Sequence, residues 1–176
     1  MTVTKATNGL QQEHQTIQKV VATMSLAADQ LEAGQNVDPA IFGDTITFLR
    51  DLSHHYAKEE RFLSPLLEAR GIPASVLRNE HEMCRGLLAQ LDDATQAFPT
   101  SGSAKDVLVM SLRALVRLYV DHIWKEYYLL LPISDKVLSE NHHAKCASSL
   151  FHRGRTWRGQ ASAIGATLGE IGARPW

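Results

Sequence analysis

The sequence predicts an all-α protein, an up-down-up-down four-helix bundle. Apolar residues recur at helical spacing through four long stretches, no period-2 alternation of β-branched residues bounded by turn dipeptides stands out, and the links between stretches are short. Short links make consecutive helices antiparallel neighbours.

The first helix is expected from about Asn8 to Ala33, with Leu10, Ile17, Val20, Val21, Met24 and Leu31 on one face and Gly34 as its stop. The second starts at Asp38-Pro39, a cap followed by proline in the first turn, and continues to Gly71. Ile72-Pro73 turns the chain, and Ser75 is positioned to cap a third helix that reads to about Phe98. Pro99-Thr100-Ser101-Gly102 is loop chemistry, after which Ser103 can cap a fourth helix reaching the region of Leu138. The bundle is therefore assigned to residues 1–138 and a C-terminal extension to 139–176, either packed on the bundle as further helix or loose. Within it, Arg153-Gly154-Arg155-Thr156-Trp157-Arg158 is locally basic, which reads first as solvated surface.

Composition narrows the function classes. With 176 residues, 44% hydrophobic, and 18 Lys+Arg against 19 Asp+Glu, the chain can bury a core and has no strong charge bias. Without basic-aromatic interleaving, nucleic acid is a poor partner. No apolar run approaches the roughly 18 residues of a membrane span and no signal-peptide stretch opens the chain, so the expected compartment is the cytoplasm, with no membrane partner. Cys84 and Cys146 stand alone, which suggests neither disulfide nor thiolate metal site. Eight histidines are the unusual count.

Those histidines fall into an internal repeat. His55 to Pro65 and His122 to Pro132 both read H-x-x-K-E-x-x-x-L-x-P, an offset of 67 residues (122 − 55). The pairs Glu13-His14 and Glu80-His81 share that offset (81 − 14). Each half is thus a helical hairpin with a lone histidine on its first helix and H-x3-E on its second. At about 100° per residue, i and i+4 share a helix face, so His55 points with Glu59 and His122 with Glu126. Their neighbours Leu52, Phe62, Leu63, Leu115, Leu118, Leu129 and Leu130 are apolar, which turns these ionisable groups into the core. Uncompensated burial of four imidazoles and two carboxylates would cost many kcal/mol, and a dinuclear metal centre resolves the charge problem. Imidazoles and carboxylates without thiolate suit iron, with manganese or zinc behind it.

With these motifs the chain resembles the hemerythrin-like, or HHE cation-binding, family. The resemblance covers roughly residues 8–138 and rests on Glu-His on helix one, the two H-x-x-K-E-x-x-x-L-x-P segments, and E-H-E-x-x-R on helix three. It implies two non-heme irons bridged by oxo or hydroxo. His14 and His55 would be ligands of one iron, His81 and His122 of the other, and Glu59 and Glu126 the bridges. The remaining histidines, His54, His142, His143 and His152, have no such support.

Many family relatives carry a second His or a Glu directly after the helix-two histidine, and this chain has Tyr56, with Ile123 at the repeat-related position. Its phenolate is expected as a sixth ligand on the His81/His122 iron and as a catalytic residue; the alternative is a core aromatic that hydrogen-bonds a ligand. A phenolate favours ferric iron, so the reading leans to an oxidoreductase acting on hydrogen peroxide or nitric oxide, with an unidentified electron donor. O2 binding, redox sensing or iron handling without turnover is the alternative. Arg85 is placed to steer an anion or pair with Glu82, Tyr119 to line the pocket or equally to pack in the core, and Lys58 and Lys125 to face solvent. Pro65 and Pro132 should kink or end their helices. His81-Glu82 opens a zinc-protease motif, but Arg85 stands where its second histidine belongs, and no phosphate-binding loop or dinucleotide fingerprint occurs.

Overall fold

The computed structural model describes residues 6–98 and 102–137, together with Ala161 and Ile164. Among the described residues every regular element is helical: α1 (Ala6–Glu32), α2 (Ala40–Asp51), α3 (Ser53–Lys58), α4 (Ser64–Glu68), α5 (Ser75–Ala97), α6 (Gly102–Lys125) and α7 (Leu131–Val137). Two π-helical turns, Glu59–Leu63 and Glu126–Leu130, join α3 to α4 and α6 to α7.

Four rods result. Their antiparallel order is visible in the cross-helix pairs. As α1 advances from Thr7 through His14 to Asp29, its partners retreat from Asp135 through Glu126 to Arg113. Likewise Arg50, Glu60 and Glu68 meet Asp92, His81 and Arg78. α1 and α5 both pack on α6, and α2 packs on α5.

The first rod stops at Gly34, which adopts φ 74° and lets Gln35 N–H reach back to Gln30 C=O at 2.9 Å. Gly71, at φ 73°, closes the second rod in the same way, with Ile72 N–H donating to Leu67 C=O at 3.0 Å. α2 begins one residue later than expected, with Pro39 at its cap position, and the Asp38 carboxylate accepts from Ala40 N–H at 2.9 Å. Ser75 does not cap the third rod: it lies inside α5, whose cap position is Ala74.

The second rod is not the uninterrupted helix that its periodicity suggests. Leu52 N–H bonds Leu49 C=O, a tighter three-residue turn, and a π turn follows at Glu59. Each π turn stands just before a proline, Pro65 or Pro132. Proline has no N–H to donate and its ring crowds the carbonyl four residues back, so widening the preceding turn by one residue relieves the clash while the rod continues.

The apolar core is divided. A large cluster runs from Ile17 through Leu31 on α1 and includes Phe42, Phe48, Leu52, Leu91, Leu112 and Tyr119; Ala161 and Ile164 from the C-terminal extension are buried in it. A smaller cluster, Leu10, Leu63, Leu67, Ala74 and Leu131, closes the other end. The ionisable layer lies where the two clusters meet: in sequence His14 falls between Leu10 and Ile17, and Glu59 between Tyr56 and Leu63.

Candidate metal centre

One residue at this level of each rod, or two, turns into the space between the clusters. His14 from α1, His55 from α3, Glu59 and Glu126 at the starts of the two π turns, His81 from α5 and His122 from α6 are all at most 1% exposed. The π turns begin at the two carboxylates. The carbonyl of Glu59 accepts from Ser64 N–H, and that of Glu126 from Leu131 N–H, five residues on in both halves.

Each carboxylate faces both histidine pairs. Glu59 Oε1 lies 2.8 Å from His55 Nε2 and 3.5 Å from His14 Nε2, while its Oε2 lies 3.2 Å from His81 Nε2. Glu126 repeats this in reverse, with Oε2 2.9 Å from His14 Nε2 and Oε1 3.5 Å from His122 Nε2. Two sets of four ligand atoms result, His14/His55/Glu59/Glu126 and Glu59/His81/His122/Glu126, each within 4.8 Å of one another. None of the four carboxylate oxygens accepts a well-directed hydrogen bond, and the Nε2 atoms of His81 and His122 lack one as well. Buried polar atoms left in this state are costly, and a cation at each set satisfies them together. The residues fit a pair of metal ions.

Outward from this layer, three of the histidines are held by carboxylates through Nδ1. His55 donates to Glu13 at 2.8 Å, His122 to Glu80 at 2.9 Å, and His81 to Glu60 at 2.7 Å. Such bonds fix the tautomer, leaving Nε2 free to ligate, and raise the basicity of the ring. Lys58 pairs with Glu13 and Lys125 with Glu80. Both lysines were expected to face solvent; instead each neutralises the carboxylate behind a histidine, and Lys58 is only 13% exposed. The Glu13-His14 and Glu80-His81 pairs thus supply two things each, one imidazole for the centre and one carboxylate for the next helix.

Electrostatics follow from this packing. Burial pushes the Glu59 carboxyl up, but the charge on His55 and contacts from His14, His55 and His81 outweigh it and hold the group well below the usual carboxylate range. For His55, burial disfavours the cation, yet the carboxylates of Glu59 and Glu13 raise it to about 10. His14 and His122 are raised too, against burial, chiefly through Glu126. Glu13 and Glu80 are lowered against burial by their histidine and lysine partners. Without a cation the neighbouring carboxylates favour the protonated form of His14, His55 and His122.

Tyr56 stands beside the layer. Its ring stacks on that of His81, centroids 4.1 Å apart and 17° from parallel, and its hydroxyl shares a 2.8 Å hydrogen bond with that of Tyr119. Burial, then the neighbouring Tyr119 and Cys84, push its phenol well above the ordinary value. The hydroxyl is directed toward Tyr119 and Cys84, neither of them a candidate ligand. Tyr119 is packed in the core, 1% exposed. Together with Tyr56, Cys84, Leu49, Ser53 and Arg85 it borders a cavity of about 250 Å³. Arg85 pairs with Glu82 at 2.7 Å and lies 6.0 Å over the Tyr56 ring. Burial lifts the Cys84 thiol to about 11, so it stays a thiol. His54 is exposed; His142, His143 and His152 lie outside the described residues.

A helical bundle carrying two adjoining His/Glu sets across a shared pair of carboxylates defines a class, that of cation-binding four-helix proteins. The chain belongs to the hemerythrin family: the model of the hemerythrin HHE cation-binding domain matches residues 5–134. Searches of curated proteins and of solved structures return no match. Among the described residues no helix is long and apolar enough to cross a membrane.

Proposed function

We propose that the chain holds two non-heme irons, with an oxo or hydroxo bridge, and reacts with small oxidants, hydrogen peroxide or nitric oxide first among them. The observation that carries the reading is that Glu59 and Glu126 each turn one oxygen to the His14/His55 pair and the other to the His81/His122 side. Two metals held by shared carboxylates are what such an arrangement accommodates, and a donor set of imidazoles and carboxylates suits iron.

Bound irons would supply one-electron steps, two of them concerted between neighbouring ions. The chain's own residues set the conditions. Two carboxylates and three carboxylate-bonded imidazoles make the ligand field electron-rich, which favours the higher oxidation state. The apolar clusters on both sides keep bulk water from the layer. Tyr56 closes one side of His81 with its ring, and its hydroxyl, held by Tyr119, keeps a proton near the layer.

Binding of O2 without turnover is the second reading, favoured by one observation. With its hydroxyl bonded to Tyr119, Tyr56 is not oriented as the phenolate that would argue against an accessible ferrous state. Aerobic iron loading followed by a peroxide and a nitric oxide assay separates the two. Turnover with iron retained supports the oxidoreductase; reversible O2 binding by the reduced protein, without turnover, supports the carrier or sensor.

A further inference from the structure

The repeat that builds the two halves is broken at one consequential position. Glu60, in the first half, accepts the Nδ1 proton of His81, in the second, at 2.7 Å. The offset of 67 residues maps His81 onto His14 and Glu60 onto Tyr127 (127 − 60). Tyr127 is 40% exposed and offers no carboxylate, and the buried Nδ1 of His14 has no hydrogen-bond partner among the described residues. The other outer contacts are matched: Glu13 with Lys58 behind His55 answers Glu80 with Lys125 behind His122. The halves therefore differ by one carboxylate behind one imidazole.

From this difference we infer that the two metal positions are unequal, the His81/His122 position filling first and tightest and the His14/His55 position filling second and emptying first. The inference rests on the reading of a metal pair. A carboxylate on the far ring nitrogen locks the tautomer that ligates and makes the imidazole a stronger donor, and losing such a partner costs roughly 10–100-fold in metal affinity. Glu60 is about a third exposed, which weakens its field and places the expected gap near the low end, about tenfold. His14 makes its contacts through Nε2 alone, so nothing on its Nδ1 side locks the tautomer that ligates. Glu60 is thus a positioning residue that ranks the sites, and His14 is the ligand that yields first when metal is scarce.

Anaerobic titration of the full-length, metal-free protein with Fe(II), followed by calorimetry and native mass spectrometry, tests this. The expected result is a species with one metal that accumulates before the species with two, in steps about tenfold apart. Glu60→Gln should weaken the tight step and bring the two together. Tyr127→Glu, which places a carboxylate at the repeat-related position, should strengthen the weak step. If wild type fills both positions with equal affinity, or if Glu60→Gln folds normally and leaves the steps unchanged, the inequality is overturned while the metal pair stands. If no Fe(II) binds, both the pair and the inequality fall.

Discussion

Glu13 accepts a 2.8 Å hydrogen bond from His55 Nδ1 across 42 residues of sequence, and Lys58, one helical turn beyond His55, clamps the same carboxylate. The contact joins the first two rods directly behind a candidate ligand. Glu80 repeats it behind His122. Replacing Glu13 by Gln keeps an acceptor but removes the charge, and metal affinity should fall roughly 10–100-fold with little loss of helix content. Competition with a chromophoric chelator, alongside circular dichroism, measures both. An unchanged affinity would show that His55 needs no support from α1.

The shared carboxylates lead to a stoichiometry. Glu59 and Glu126 each face both histidine pairs, so neither belongs to one site. Glu59→Ala or Glu126→Ala should reduce bound metal from two per chain to one or fewer, whereas His54→Ala, at an exposed position, should leave two. Elemental analysis after gel filtration provides the count. A Glu59→Ala protein that retains two metals would mean the carboxylate is not shared.

Much of this centre was legible because its signals are local. Helical period, the glycines at 34 and 71, and the repeated H-x3-E each depend on neighbours a few residues apart, and one offset tied the two halves together. What a partner on another helix decides was not legible. Glu13 and Glu80 were visible only as companions of His14 and His81, since nothing in the sequence says that their carboxylates reach the adjacent rod. For the same reason Lys58, though next to a ligand, read as a solvent-facing lysine. The π turns are hidden because one widened turn leaves the 3.6-residue pattern nearly intact; Pro65 and Pro132 announced a disturbance without saying that it begins at Glu59 and Glu126. Whether Tyr56 turned to metal or to Tyr119 depended on the fourth rod, which supplies the hydroxyl.

Tyr56→Phe addresses that last point. The variant keeps the ring that stacks on His81 and loses the hydrogen bond to Tyr119, whose own hydroxyl is fully buried. Stability should fall by about 1 kcal/mol, a typical value for one such bond. The near-ultraviolet and visible spectrum of the iron-loaded, air-oxidised protein should show no phenolate-to-iron band in wild type and no change in the variant. A visible band that vanishes in Tyr56→Phe would show the phenolate to be a ligand.

Metal loading should release protons. In the cation-free layer His55 is held up at about 10, burial opposing and the carboxylates of Glu59 and Glu13 prevailing, and His14 and His122 are raised as well. An imidazole must lose its proton before Nε2 can ligate, so affinity should rise with pH across the neutral range. Stability of the metal-free protein has the opposite slope. A group raised from the ordinary 6.5 to about 10 stabilises the fold fully below 6.5, and that contribution disappears as pH rises through about 10. Metal-free protein should therefore lose stability between those values, while the loaded protein, whose cations replace the protons, should lose little. Calorimetric loading in two buffers of different ionisation enthalpy counts the protons, and urea unfolding of both forms at several pH values gives the slopes. Loading without proton release would mean that the imidazoles are already neutral before a cation arrives.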